Sequence, residues 1–247
     1  MSEATSDGGE DGDAAPAALG PDDPLARAEI ARIGLAALFV TALVTAQLVA
    51  AKLLALPLPF ELPAVGAALI LPGGAVAYAV TFLASDCYAE LYGQRAAQVM
   101  VNVAFAMNFV MLGLLASALW APGADPEFAD TFATALSPTA NIVAGSLLAY
   151  LLSQNFDVVA FHRIREYTNG KRLWLRNIVS TSASQALDTV VFVGVAFAVA
   201  PTVFGIGFAL PAGEILALIV GQYLLKLLIA VLDTPVVYLI VGWVRNA

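Results

Sequence analysis

Apolar residues run in six long stretches, roughly 33–56, 66–91, 96–120, 139–162, 176–201 and 213–242, separated by short polar connections. A helix of about 20 apolar residues crosses the hydrocarbon core of a bilayer, and each stretch is long enough to do so. Pro72-Gly73-Gly74 interrupts the second stretch, and the half before that break reads as a short re-entrant or broken piece. The last stretch is long enough to tilt or kink, with Pro235 as the natural place. The pattern predicts an all-α integral membrane protein, a bundle of six transmembrane helices.

Composition agrees with this reading. The 247 residues are 60% hydrophobic and 12% charged, against about 25% charged in a soluble domain. The net charge of −8 is unevenly spread. Residues 1–24 contain Glu3, Asp7, Glu10, Asp11, Asp13, Asp22 and Asp23 and no basic residue, which leaves the rest of the chain nearly neutral. That leader cannot bury enough apolar surface to fold, so residues 1–26 are expected to be a disordered acidic tail ahead of a membrane domain at 27–247. It lacks the basic start and early apolar run of a signal peptide. Cys87 is the single cysteine, which excludes an internal disulfide, and no zinc-type spacing is present. Neither a metal nor a cofactor is expected.

The basic residues set the orientation. Arg27 and Arg32 precede the first span, Arg95 lies between the second and third, and Arg245 follows the last. Arg163, Arg165, Lys171, Arg172 and Arg176 crowd the connection between spans four and five. The alternate connections near 57–65, 121–138 and 202–212 have no Lys or Arg; Glu61, Asp125, Glu127, Asp130 and Glu214 mark that side. Positive charge stays inside, so both termini are placed in the cytoplasm of a multi-pass plasma-membrane protein.

Seven ionisable residues sit in these apolar surroundings: Lys52, Asp86, Glu90, Asp157, Asp188, Lys226 and Asp233. A charge near the bilayer centre costs about 2.5–3.5 kcal/mol on insertion scales, and such groups face a protein interior or a wet cavity. A passive anchor has no use for them. They point to a polar pathway or pocket inside the bundle.

The pattern S-Q-x-x-D-x-V-x-F occurs twice, at Ser153–Phe161 and at Ser184–Phe192, on neighbouring spans of opposite direction. Matching polar groups on inverted repeats are a recurring transporter design, so an inverted repeat between spans four and five is an expectation. Helical spacing gathers Thr181, Ser184, Gln185 and Asp188 on one stripe, Tyr150, Gln154, Asp157 and Phe161 on a second, and Gln222, Lys226 and Asp233 on a third. The plainer reading is interhelical hydrogen bonding, worth about 0.6 kcal/mol per bond. Asp86 and Glu90 stand one turn apart near the end of span two, where like charges repel and oppose the helix dipole. They call for compensation from outside that helix, for which the basic 163–176 segment is expected. They would form either a salt-bridge latch or a gate. Gly93 is expected to end the helix in a left-handed conformation.

With these residues in view, the chain resembles the queuosine precursor transporter family, also called vitamin uptake transporters, over roughly 33–242. The resemblance lies in T-F-L-A-S-D-C-Y-A-E-L-Y-G-Q-R-A-A at 81–97, S-Q-x-x-D-x-x-x-F-H-R at 153–163, K-R-L-W-L-R-N-I-V-S-T-S-A-S-Q-A-L-D-T-V-V-F at 171–192, and D-T-P-V-V-Y at 233–238. Gln47 departs from the Asn of an Asn-x-x-x-x-Lys arrangement ending at Lys52, but keeps the amide. The resemblance implies import of a 7-deazaguanine: preQ0, preQ1 or queuine. If the acidic leader marks a haloarchaeal source, preQ0 is the favoured cargo, as the archaeosine precursor of tRNA. The base edge presents neighbouring N–H donors to a carboxylate, its carbonyl accepts from Lys or an amide, and its flat ring stacks on aromatics. The candidate substrate residues are therefore Asp188 and Gln185 at the base edge, with Asp157 and Gln154 as their repeat counterparts. Lys226, Gln222 or Lys52 would meet the carbonyl, Phe192, Phe161 or Tyr150 would stack, and Gln47 is a further candidate in the first span. Asp86, Glu90 and Asp233 are the candidates for gating or coupling.

Other functions stay open at this level. The chain could be the substrate-binding subunit of an ATP-driven vitamin importer; lacking a G-x-x-x-x-G-K-[ST] motif, it would then need a separate ATPase. Another small-molecule carrier, a channel or a scaffold would also use such a bundle. An enzyme is not expected, since no G-x-G-D protease signature is present and the sole His162 lies at the membrane border. The expected partners are a nucleobase and the lipid bilayer, not nucleic acid, with a homo-oligomer left open.

Overall fold

The computed structural model describes residues 24–62, 65–168, 173–205 and 207–245. The expected tail at 1–26 lies almost wholly outside them. Helix α1 (Pro24–Val49) is followed by strands β1 (Leu53–Leu62) and β2 (Gly66–Pro72), then α2 (Ala75–Tyr92), α3 (Gln94–Trp120) and a short α4 (Pro126–Leu136). Next come α5 (Thr139–Tyr167) and α6 (Leu173–Gly194), a π-helical stretch Val195–Val199, α7 (Ala200–Phe204) and α8 (Ala212–Arg245). Among the described residues, five helical segments, including α1, α3, α5 and α8, are long and apolar enough to cross a membrane. Their outer faces carry apolar side chains such as Val99, Phe109, Leu114, Val231 and Leu239, and Trp120 lies exposed at the end of α3.

The all-α expectation needs correction between residues 50 and 72. Instead of a first span reaching 56 and a second beginning at 66, α1 stops at Val49 and an antiparallel hairpin follows, pairing Leu53 with Pro72 and Leu56 with Leu69. Pro57 and Pro59 have no N–H to donate and bias their preceding residues to extended backbone, so a helix cannot run through them. The return strand is anchored at Gly73, whose N–H donates to the Lys52 carbonyl at 2.5 Å. A Cβ at Gly73 would lie 2.7 Å from that same oxygen, and one at Gly74 would strike the Ala46 carbonyl. The Gly-Gly pair thus lets the hairpin fold back onto the end of α1. On the other side, a Cβ at Gly221 would sit 2.5 Å from the Ile70 carbonyl, so glycine also lets β2 lie directly on α8.

Two apolar clusters hold the helices. One joins Leu35, Phe39 and Leu43 of α1 to Ala84, Cys87 and Tyr88 of α2 and to Ala97, Met100 and Ala104 of α3. Cys87 is fully buried there, as a small core residue. The other joins Ile142 of α5, Val193, Ala196 and Phe197 of the α6 and π-helical segment, and Leu218 of α8. Ala84, Cys87, Ala97, Ala104 and Ala196 let helices approach within these clusters, which suits a membrane, where helices associate by packing and not by escape from water. The π-helical turns leave the Phe197 carbonyl for the Leu210 N–H, at 3.0 Å, tying the return loop to the helix.

Two further elements differ from expectation. The connection at 121–138 contains α4, started by Asp125, whose carboxylate accepts from the Glu127 and Phe128 N–H groups, with Pro126 in the first turn. Between α2 and α3 only Gly93 intervenes, at φ 87° and ψ 157°. The positive φ was expected; the extended ψ places it in a region open essentially to glycine alone. Alanine at Gly93 meets no neighbouring atom, whereas alanine at Gly221 meets the β2 backbone. Both substitutions should lower stability by about 1–3 kcal/mol, the first through backbone strain and the second through overpacking. Thermal unfolding in detergent checks both, and only Gly221→Ala should also disturb the cavity beside β2.

Candidate functional site

A cavity with about 580 Å³ of empty space, part of it open to solvent, lies where α1, α2, α5, α6 and α8 meet the base of the hairpin. Asp188 and Lys226 face one another in it, Lys226 Nζ donating to Asp188 Oδ2 at 2.6 Å with side chains only 5% and 15% exposed. Ser153 Oγ donates to the other carboxylate oxygen at 3.3 Å. Tyr78, four residues beyond Gly74, sets its ring 5.8 Å from the ammonium, a cation–π contact that adds to the carboxylate's hold. Gln47, which is buried, donates from Nε2 to Ser146 Oγ at 2.9 Å. Gln222 lines the cavity with its Oε1 buried and without a partner among the described residues, and Phe192 adds a second aromatic wall. An orphaned acceptor in such a place costs about 1–3 kcal/mol until something donates to it.

Of the eleven residues expected at a substrate site, five line this cavity: Gln47, Asp188, Phe192, Gln222 and Lys226. Lys52 does not. Because α1 ends at Val49, Lys52 falls in the turn before β1 with its side chain exposed. Tyr150 stacks instead on Phe105, ring centres 4.4 Å apart, and its hydroxyl pairs with Gln98 Nε2. Gln154 is exposed on the far face of α5, and the inward face carries Ser146, Ala149 and Ser153 instead. Gln185 is half-buried off the cavity, and the Phe161 side chain lies outside the described residues. Asp157 accepts from Ser184 Oγ at 3.1 Å, away from the cavity. Tyr78 and Ser146 were missed. Ser146, Ser153 and Asp157 share one helical face at i, i+7 and i+11, a signal the duplicated motif overshadowed.

Asp86 and Glu90 line a second recess with Gln94, Thr234, Tyr238 and Arg245, toward the far end of α8. Compensation for Glu90 comes from Arg245, whose Nη2 lies 2.9 Å from Oε1 and also donates to the Glu90 carbonyl at 2.8 Å. Of the basic residues expected to compensate from 163–176, the side chains of Arg165, Lys171, Arg172 and Arg176 lie outside the described residues; α8 packs along α2 and delivers its terminal guanidinium to the end of that helix. Both side chains of this pair are more than half exposed, so the bridge is worth only about 0–1 kcal/mol. Asp233 has one carboxylate oxygen buried without a partner among the described residues.

Residues 72–240 match the family described as "Putative vitamin uptake transporter". The chain belongs to the vitamin uptake transporter family. The matched region of the transporter contains Tyr78, Ser146, Ser153, Asp188, Phe192, Gln222 and Lys226, and omits Gln47. The transporter is 33% identical over 170 residues to the "Probable queuosine precursor transporter" of Bacillus subtilis (strain 168), covering 67% of this chain and 69% of that protein. It is 29% identical over 133 residues to the "Queuosine precursor transporter" of Escherichia coli (strain K12), covering 53% of this chain and 57% of that one. No solved structure matches it. The transporter is a multi-pass membrane protein.

Truncating one partner of the Asp188–Lys226 pair leaves the other charge buried and uncompensated, at a cost of about 3–5 kcal/mol. Lys226→Ala is therefore expected to lower the detergent unfolding temperature sharply. Asp188→Asn combined with Lys226→Met should recover much of the loss, and a double-mutant cycle reads the coupling.

Proposed function

We propose that this chain imports a queuosine precursor, a 7-deazaguanine such as preQ0, preQ1 or queuine, across the cell membrane, and that the Asp188–Lys226 cavity is where the base binds. The observation that carries this reading is a buried carboxylate and ammonium facing one cavity between aromatic walls. Facing one another, they neutralise each other. A guanine-like edge opens the pair and replaces it with like chemistry: ring N–H and exocyclic amine donate to Asp188, and the ring carbonyl accepts from Lys226. The Gln222 oxygen supplies a further acceptor, Gln47 an amide, and Tyr78 and Phe192 the faces on which a planar ring lies. The names of the Bacillus subtilis and Escherichia coli relatives support this cargo.

In the proposed topology the six spans are α1, α2, α3, α5, the segment from α6 through α7, and α8, with both termini in the cytoplasm. The cavity then lies in the outer half of the membrane and the Glu90–Arg245 bridge at the cytoplasmic end, in a state closed on the inside. Asp86, Glu90 and Asp233 are the proposed gating or coupling groups; an exposed bridge of small net worth suits a contact that must break in each cycle. The rival reading, a binding subunit served by a separate ATPase, shares the cavity and differs in requiring that partner for uptake.

Labelled preQ0 uptake, with preQ1, queuine and guanine as competitors, tests the cargo in cells unable to make the base. Losing charge-assisted hydrogen bonds worth about 1.5–3 kcal/mol each predicts that Asp188→Asn at equal expression lowers uptake about tenfold or more. Full uptake by that variant would refute the assignment. For topology, a Cys87→Ala background carrying a single cysteine at Asp130 should label with an impermeant maleimide in intact cells, and one at Glu166 only after lysis. The reverse pattern would invert the proposed orientation.

A further inference from the structure

The duplicated motif meets itself across α5 and α6. Ser153 Oγ approaches Asp188 Oδ1 at 3.3 Å and the Tyr150 carbonyl at 3.2 Å. Ser184 Oγ approaches Asp157 Oδ1 at 3.1 Å and the Thr181 carbonyl at 3.0 Å. Each serine therefore shares its hydroxyl between the carbonyl three residues back and the aspartate of the other copy, so that the two copies are related as by a two-fold axis between antiparallel helices. With 153 opposite 188 and 157 opposite 184, the two carboxylates stand about 6 Å apart along the helices, four residues at 1.5 Å each.

Their electrostatic surroundings are unequal. Asp188 is balanced by Lys226, whereas Asp157 is half-buried and has no cation partner among the described residues. Bundle glue does not explain a charge here, because an asparagine oxygen would accept from Ser184 equally well without the expense of an ion at membrane depth. Asp157 is thus a second carboxylate on the same helix interface, one turn beyond the one in the cavity.

Resting on the cargo reading above, we propose that Asp157 is a second recognition carboxylate on the transport path. The base held at Asp188 in this state passes to Asp157, one helical turn nearer the cytoplasm, when the open end of the molecule changes. Both rungs offer a serine-braced carboxylate, so the same donor edge of the base serves at each, and the pseudo-two-fold exchange makes the second rung a geometric copy of the first.

Full-length protein in proteoliposomes, with radiolabelled preQ0, separates binding from transfer. Asp157→Asn is expected to keep Kd within about twofold while uptake falls about tenfold or more; Asp188→Asn loses binding itself. Ser184→Ala, which removes only the brace, should lower uptake at unchanged Kd and carries the test if Asp157→Asn fails to fold. Wild-type uptake by both variants would overturn the second rung, and so would a Kd raised by Asp157→Asn as far as by Asp188→Asn. Wild-type protein that binds no preQ0 would overturn the cargo reading instead, a failure distinct from either.

Discussion

An ammonium and a carboxylate 2.6 Å apart, both nearly removed from solvent, impose the main constraint on this bundle. Each ion taken alone from water costs several kcal/mol even after relaxation, and only close pairing with further hydrogen bonds offsets that cost. Ser153 supplies one such bond and the Tyr78 ring lies against the cation. Meeting these demands requires α2, α5, α6 and α8 to converge on one point, which leaves a cavity where a fully apolar bundle would have closed. The site is thus a consequence of the electrostatics that the rest of the packing has to accommodate.

Glycines and the hairpin complete the enclosure. Non-helical backbone at membrane depth survives only where its polar groups are paired or buried in protein. Here β1 and β2 pair with each other, and Gly73, Gly74 and Gly221 allow the strands to press on α1 and α8 without intervening side chains. Pro72 and Gly74 themselves line the cavity, so the hairpin's base forms part of its wall. At the opposite end of α8 the contact is of another kind: the Glu90–Arg245 bridge is exposed and weakly held. A rigid wall at one end and a loose polar contact at the other are what alternating access would require of the proposed carrier.

Much was legible from residue order alone. Long apolar stretches can satisfy their backbone only as helices in lipid, so the helical nature of the chain followed directly, as did the value of ionisable residues within it. The duplicated Ser and Asp, and Gln222 with Lys226 at i and i+4, were one-dimensional signals of shared helix faces. Pro57 and Pro59 fall in the expected connection at 57–65 and mark the end of the first span, but residue order does not show that Leu53–Leu56 leave the helix to pair with Leu69–Pro72.

What the sequence could not decide was which face met which. Helical spacing states that Tyr150, Gln154 and Asp157 neighbour one another, but not that Ser153, one residue away, is the group turned toward Asp188. Glu90 needed a cation, and the packing of α8 on α2 brought it Arg245, 155 residues distant. Lys52 and Lys226 looked alike as buried lysines until the end of α1 at Val49 put one in an exposed turn and the other in the cavity. Local periodicity fixes the side of a helix; the partner across the interface is set by close packing and charge neutralisation in three dimensions, which no single stretch of sequence contains.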